Sequence, residues 1–241
     1  MPQLLWWQWL IGALCAWKIG VAKTGMPGFG TLVVPLMIVT VGDARLAAGW
    51  LLPILCTADI FAVIYWRRNT AAKRLFALAP WVLAGIIAGA FALALPESIL
   101  RRMVGVIVLL MLVAYLRRRF HPDDAPSAHS APYGFAAGFS TTVANAAGPV
   151  MNLYLLSKRL PKEDFVATGA WFFFIVNLSK VPIYQYHGLF SPQSLAFDAL
   201  MIPAVVLGAL TGRFLIDHIP PKTFEMAVVV LTALSTLLLF R

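Results

Sequence analysis

Charged side chains are scarce in this sequence: Asp, Glu, Lys and Arg make up only 12% of its 241 residues. A soluble domain carries about a quarter, so too little charge is present to coat a water-facing surface, and a soluble globular fold is excluded. Cysteine is nearly absent. Cys15 and Cys56 lie inside apolar runs, where they serve as small buried hydrophobes rather than as a disulfide or metal framework. There is no HExxH zinc pair, no GxSxG elbow and no two intramembrane aspartates at protease-like spacing, which argues against an intramembrane enzyme. His121 and His129 fall in a polar linker, and no metal or cofactor is expected. The first eleven residues contain neither Lys nor Arg, so the basic start of a removable secretory signal is missing. Trp6, Trp7 and Trp9 suit an interfacial anchor instead.

Apolar residues are what the chain does have. They make up 61% of it, the mean hydropathy is +0.82, and they fall in runs rather than on one helical face, as a lipid solvent requires. Ten apolar segments stand out, at 4–22, 29–41, 46–66, 75–95, 100–116, 132–147, 149–157, 165–187, 194–216 and 223–240. The third, fourth, eighth and ninth are each long enough to cross a hydrocarbon layer of ~30 Å; the fifth and tenth are near the lower limit, and the second and seventh are too short to cross alone. The expected fold is all-α, a polytopic transmembrane helical bundle.

An internal repeat organises it. The second segment follows Gly25-Met26-Pro27-Gly28-Phe29-Gly30, and the seventh follows Asn145-Ala146-Ala147-Gly148-Pro149. Gly28 to Gly49 spans the same 21 residues as Gly148 to Gly169. Gly85 and Gly89 match Gly208 and Gly212 after a shift of three residues, and both pairs have the GxxxG spacing that lets a neighbouring helix approach closely. We expect two homologous halves, 1–118 and 132–241, joined by a polar cytoplasmic linker at 119–131. Each has five apolar segments, an odd number, so the halves should be inverted in the membrane, each with a broken or re-entrant helix pair plus three spanning helices.

The net charge of +9 orients the chain rather than binding nucleic acid. With the link between the third and fourth segments inside, twelve basic residues lie inside, including Arg67, Arg68, Arg117, Arg118 and Arg119, and four outside: Arg45, Arg101, Arg102 and Arg241. This places both termini outside. Inverted repeats with broken helices at matching positions are the architecture of many secondary transporters.

Irregular backbone at membrane depth is tolerated where it is buried in protein or lines a wet cavity. A short helix that begins there aims its unpaired N–H groups and the positive end of its dipole at the gap. Pro27, Pro35 and Pro149 mark the breaks, and two converging helix starts near the midplane would hold an anion through the backbone at Gly28, Gly30 and Gly148. The competing explanation is a pair of kinks that serve packing only. Ser140, Thr141, Thr142, Asn145 and Asn152 supply donors near the second break, although hydroxyls in such helices also bond their own backbone four residues back. Lys180 stands in an otherwise uncharged stretch with Asn177 one turn earlier; it either snorkels outward or faces substrate. Asp59 occupies nearly the equivalent place in the third segment. Its stem is too short to snorkel, so it either pairs with Lys180 or serves as a proton site. Lys23, just before the first break, could face the same cavity, whereas Lys18 suits a buried or snorkelling place. His187 suits the interface.

These motifs resemble a known family. Gly28-Phe29-Gly30-Thr31-Leu32-Val33-Val34-Pro35 is similar to the glycine-cluster-then-proline element in the first half of the TauE/SafE sulfite exporters, with Phe29 interrupting their usual glycine run. Tyr133-Gly134-Phe135-Ala136-Ala137-Gly138-Phe139-Ser140, Ala144-Asn145-Ala146-Ala147-Gly148-Pro149 and Tyr154-Leu155-Leu156 resemble the second-half signature, and Ala167-Thr168 through Asn177 and Lys180 the helix after it. The resemblance implies a bacterial inner-membrane protein that exports sulfite, sulfoacetate or a related organosulfur anion, driven by an ion gradient. Its expected partners are that anion, the bilayer and, as one option, a second copy of the chain. A passive anion channel is the alternative that the same residues allow.

Overall fold

The computed structural model describes residues 4–68, 72–92, 95–120, 129–144, 146–238 and 240. These form ten helices: α1 (Trp6–Thr24), α2 (Val33–Val41), α3 (Ala44–Trp66), α4 (Ala72–Ala92), α5 (Glu97–Phe120), α6 (Ser130–Ala144), α7 (Ala147–Ser157), α8 (Lys162–Tyr186), α9 (Pro192–His218) and α10 (Pro221–Leu238). No strand occurs among the described residues. Each apolar segment became one helix, and the protein is all-helical as expected. Six helices (α3, α4, α5, α8, α9 and α10) are long and apolar enough to cross a membrane. Ile64, Phe76, Leu110, Phe214 and Leu237 are exposed on them, as side chains that face lipid would be.

Local chemistry sets the helix ends. Gly42 closes α2 with a φ of 84°, a left-handed conformation that glycine adopts without a Cβ penalty. Asp43 then caps α3 by accepting from the Leu46 N–H at 2.7 Å. Ser191 and Ser194 form a reciprocal capping box at the start of α9, with Pro192 in its first turn. The far end of α9 leaves carbonyls without intrahelical partners, and the Lys162 ammonium donates to those of Ile216 and Ile219.

The chain makes two compact units, neither of them contiguous in sequence. One comprises Met1–Thr70 and Lys162–Phe224, the other Ala71–Pro161 and Glu225–Arg241. In the first, α1 and α9 run side by side along a glycine seam. A Cβ on Gly20 would lie 2.3 Å from the Val205 carbonyl oxygen, one on Gly25 1.8 Å from that of Gly212, and one on Gly208 2.1 Å from that of Trp17. Thr24 stitches the seam by donating to the Ala209 carbonyl at 2.8 Å. Toward the start of α9, Phe197 is enclosed by Trp9 and Trp50, at ring-centroid distances of 5.3 and 5.0 Å.

The second unit has its own seam, between α4 and α6. A Cβ on Gly85 would fall 2.1 Å from the Phe135 carbonyl oxygen, and one on Gly138 2.1 Å from that of Val82. The GxxxG pairs Gly85/Gly89 and Gly208/Gly212 therefore lie on faces where another helix comes to backbone contact. At the ends of α5 and α10, Glu225 accepts from the Tyr115 hydroxyl at 2.6 Å and pairs with Arg119.

Candidate functional site

The first break occupies the residues between α1 and α2. The Gly25 and Met26 N–H groups both return to the Val21 carbonyl at 3.0 Å, and three short turns follow, Phe29 to Met26, Thr31 to Gly28 and Val33 to Gly30. Gly28 sits at φ 94°, so this turn needs glycine. These turns carry α2 to a start at Val33, four residues later than the apolar pattern suggests. They also reduce what the helix start offers an anion: the Val33 N–H is given to Gly30, and Pro35, third in the helix, has none.

Beside this break three helices bring charge together. Asp59 of α3 is fully buried, and its carboxylate meets the Lys23 ammonium of α1 at 2.7 Å. Its other oxygen accepts from the Asn177 side-chain amide of α8, also at 2.7 Å. Lys23 further rests 4.2 Å from the centroid of the Phe173 ring, a cation–π contact. Phe173 precedes Asn177 by one helical turn, so α8 offers both from one face. Lys180 follows Asn177 by three residues, and its charge reaches Asp59. The ion-pair partner of Asp59 is thus Lys23, where the sequence suggested Lys180 or a proton. Taken as ionised, Lys23, Lys180 and Asp59 leave one positive charge in excess. Lys18 is directed elsewhere, 4.7 Å from the Phe29 ring centroid, and His187 is exposed at the end of α8 beside Tyr186.

The second break belongs to the other unit. Asn145 lies outside the described residues. The Ala146 N–H returns to the Ser140 carbonyl at 3.0 Å, and α7 begins at Ala147 with Pro149 again third in the helix. A Cβ on Gly148 would meet nothing within 4 Å, so the first turn of α7 borders open space. The Thr142 hydroxyl bonds back to the Gly138 carbonyl at 2.9 Å, and Asn152 donates to the Thr232 hydroxyl at 3.3 Å; both are engaged within the protein. Thr141 is buried, and the buried Ser140 hydroxyl has no hydrogen-bond partner among the described residues.

Sequence reasoning did not single out Phe173 or Trp66. The one signal for Phe173 was its spacing of four from Asn177. Trp66 ends α3 and donates its indole N–H to the Thr24 carbonyl at 3.0 Å, holding the end of α1 just before the break; nothing in its local sequence marks it. Trp66→Phe removes one buried hydrogen bond and keeps most of the ring. We expect a loss of about 1 kcal/mol, read as a small drop in the unfolding temperature in detergent; no drop would show that the contact contributes nothing.

A family model described as Sulfite exporter TauE/SafE matches residues 10–239, a span that includes both breaks and the Lys23–Asp59–Asn177 cluster. No curated protein and no solved structure matches the chain. With the match running over nearly the whole length, the chain belongs to the TauE/SafE sulfite exporter family.

Proposed function

We propose that this protein is a secondary transporter that exports sulfite, sulfoacetate or a related organosulfur anion by alternating access, coupled to an ion gradient. The observation that carries the reading is the cluster beside the first break. A buried carboxylate is held by Lys23 and Asn177, with Lys180 one turn further along α8. Ionisable groups at such depth are expensive and mark ion pathways, and an excess positive charge favours an anion there. Lys180 is the group of this cluster that we assign to substrate, and Asn177 holds the Asp59 carboxylate beside it. Asp59 sets the charge balance of Lys23. The inverted repeat is part of the same proposal. It is supported by the helix pairing within each unit, where the first helix of one half lies against the fourth of the other: α1 with α9, and α6 with α4.

Purified protein in liposomes tests this with a panel of sulfur oxyanions and carboxylates. We expect saturable uptake of sulfite or an organosulfur anion. Lys180→Ala should lower it by about tenfold or more, the equivalent of one charge-assisted contact. Continuous current in a planar bilayer would rule out alternating access, and full transport by Lys180→Ala and Asn177→Ala together would remove the assigned site.

A further inference from the structure

A second aspartate lies in the same unit, away from the cluster. Asp198, in the second turn of α9, is buried, and neither carboxylate oxygen has a hydrogen-bond partner among the described residues. Each oxygen of an ionised carboxylate requires donors or a counter-charge when taken out of water, and the described residues donate no hydrogen bond to either. α9 packs on α1 and α3. The ionisable groups of those helices nearest in level are Cys15, Lys18, Arg45 and Cys56, the last a free cysteine one turn before Asp59. The Cys15 thiol is turned to the Val33 carbonyl at 3.9 Å, Lys18 to the Phe29 ring, and Arg45 is exposed. On α9 itself the next charged residue is Arg213, stacked on Tyr65.

Its place along the unit is equally specific. Phe197 lies against Trp50, and Arg213 against Tyr65, so α3 and α9 run in the same direction. That register sets Asp59 level with about Leu207, roughly 13 Å further along α9 than Asp198 at 1.5 Å per residue. Asp198 is itself about 10 Å from the Ser191 cap. It therefore stands between one end of the unit and the Lys23–Asp59 pair.

We propose that Asp198 is a proton-binding site of this transporter. In the conformation shown it is a neutral carboxylic acid. It releases that proton to water when the surrounding helices part, and takes one up again before they close. The only change is the making or breaking of one O–H bond, with the proton going to or coming from solvent. The assignment of this proton to transport rests on the transporter reading above; the protonation of Asp198 does not.

Infrared difference spectra of the wild type and Asp198→Asn in liposomes test the protonation. The wild type at neutral pH should show the carbonyl stretch of a buried protonated carboxyl that shifts in heavy water and is missing from the variant. Identical spectra would overturn the proposal. If Asp198→Asn does not fold, Asp198→Glu takes its place: the band should move with the carboxyl, and an unmoved band overturns the proposal. Sulfite flux then tests the coupling. Asp198→Asn should keep sulfite exchange between the two sides but lose accumulation driven by an imposed pH gradient. Accumulation equal to the wild type's would overturn the coupling role. A wild type that moves no sulfite under any gradient would instead count against the transporter reading, and the infrared result would still decide the state of Asp198.

Discussion

Lys23→Met is expected to destabilise the protein by about 3–5 kcal/mol, because it strands a buried carboxylate. Asp59 has no exposed surface, and its two oxygens depend on Lys23 and Asn177. Removing the ammonium leaves one neutral amide in contact, with only the more distant charge of Lys180, to support a full negative charge. Adding Asp59→Leu to Lys23→Met should recover most of the loss, since replacing both members of a buried pair by apolar groups is often neutral or better. The double variant should nevertheless be inactive in the liposome assay, having lost the charge arrangement next to Lys180. Thermal unfolding in detergent, paired with flux, separates the two effects. Equal stability of the wild type and Lys23→Met would mean that the pair contributes nothing to the fold. An active double variant would mean that it contributes nothing to transport.

The glycine seam of α1 and α9 should be the next most sensitive feature. Gly25→Ala and Gly208→Ala each place a methyl group against backbone of the other helix, 1.8 Å and 2.1 Å from a carbonyl oxygen. Backbone cannot move aside as the end of a flexible side chain can, so the helices must separate. Overpacking of this kind costs about 1–3 kcal/mol and occasionally more. Gly30→Ala and Gly148→Ala are the controls, since a Cβ there meets ordinary contact or nothing. We expect the first two variants to give poor yields and low unfolding temperatures and the controls to match the wild type. Unchanged stability of Gly25→Ala would show that α1 and α9 are not held at this distance.

Much of this was legible in the residues. Runs of apolar side chains long enough for a bilayer became helices because nothing in a lipid solvent permits another regular form for a single segment. The GxxxG spacings marked both seams because close approach needs a missing Cβ at one-turn intervals, a strictly local property. The start of α2 was less accessible. Leu32 and Val33 continue an apolar run whether they turn or coil, and the choice was made by Gly28 at positive φ and by Pro35. The partner of Asp59 was not legible at all. Lys23 and Lys180 are both placed to reach it, and only the packing of α1 against α3 and α8 selects between them. Nor does any local pattern say that α3 and α8, over a hundred residues apart in the chain, share a unit.

That interleaving has a consequence for how the protein is made. Thr24 and its acceptor Ala209 are separated by 185 residues. At a synthesis rate of roughly 5–20 residues per second, α1 therefore waits about 10–40 seconds in the membrane before α9 emerges to cover its glycine face. The Lys23–Asp59 contact needs only the first three helices, so it can form while the ribosome is still at work and keep both charges matched during the wait. A nascent chain stalled in the linker would hold that ion pair with a bare seam, and this is the form that membrane chaperones and quality-control proteases would meet.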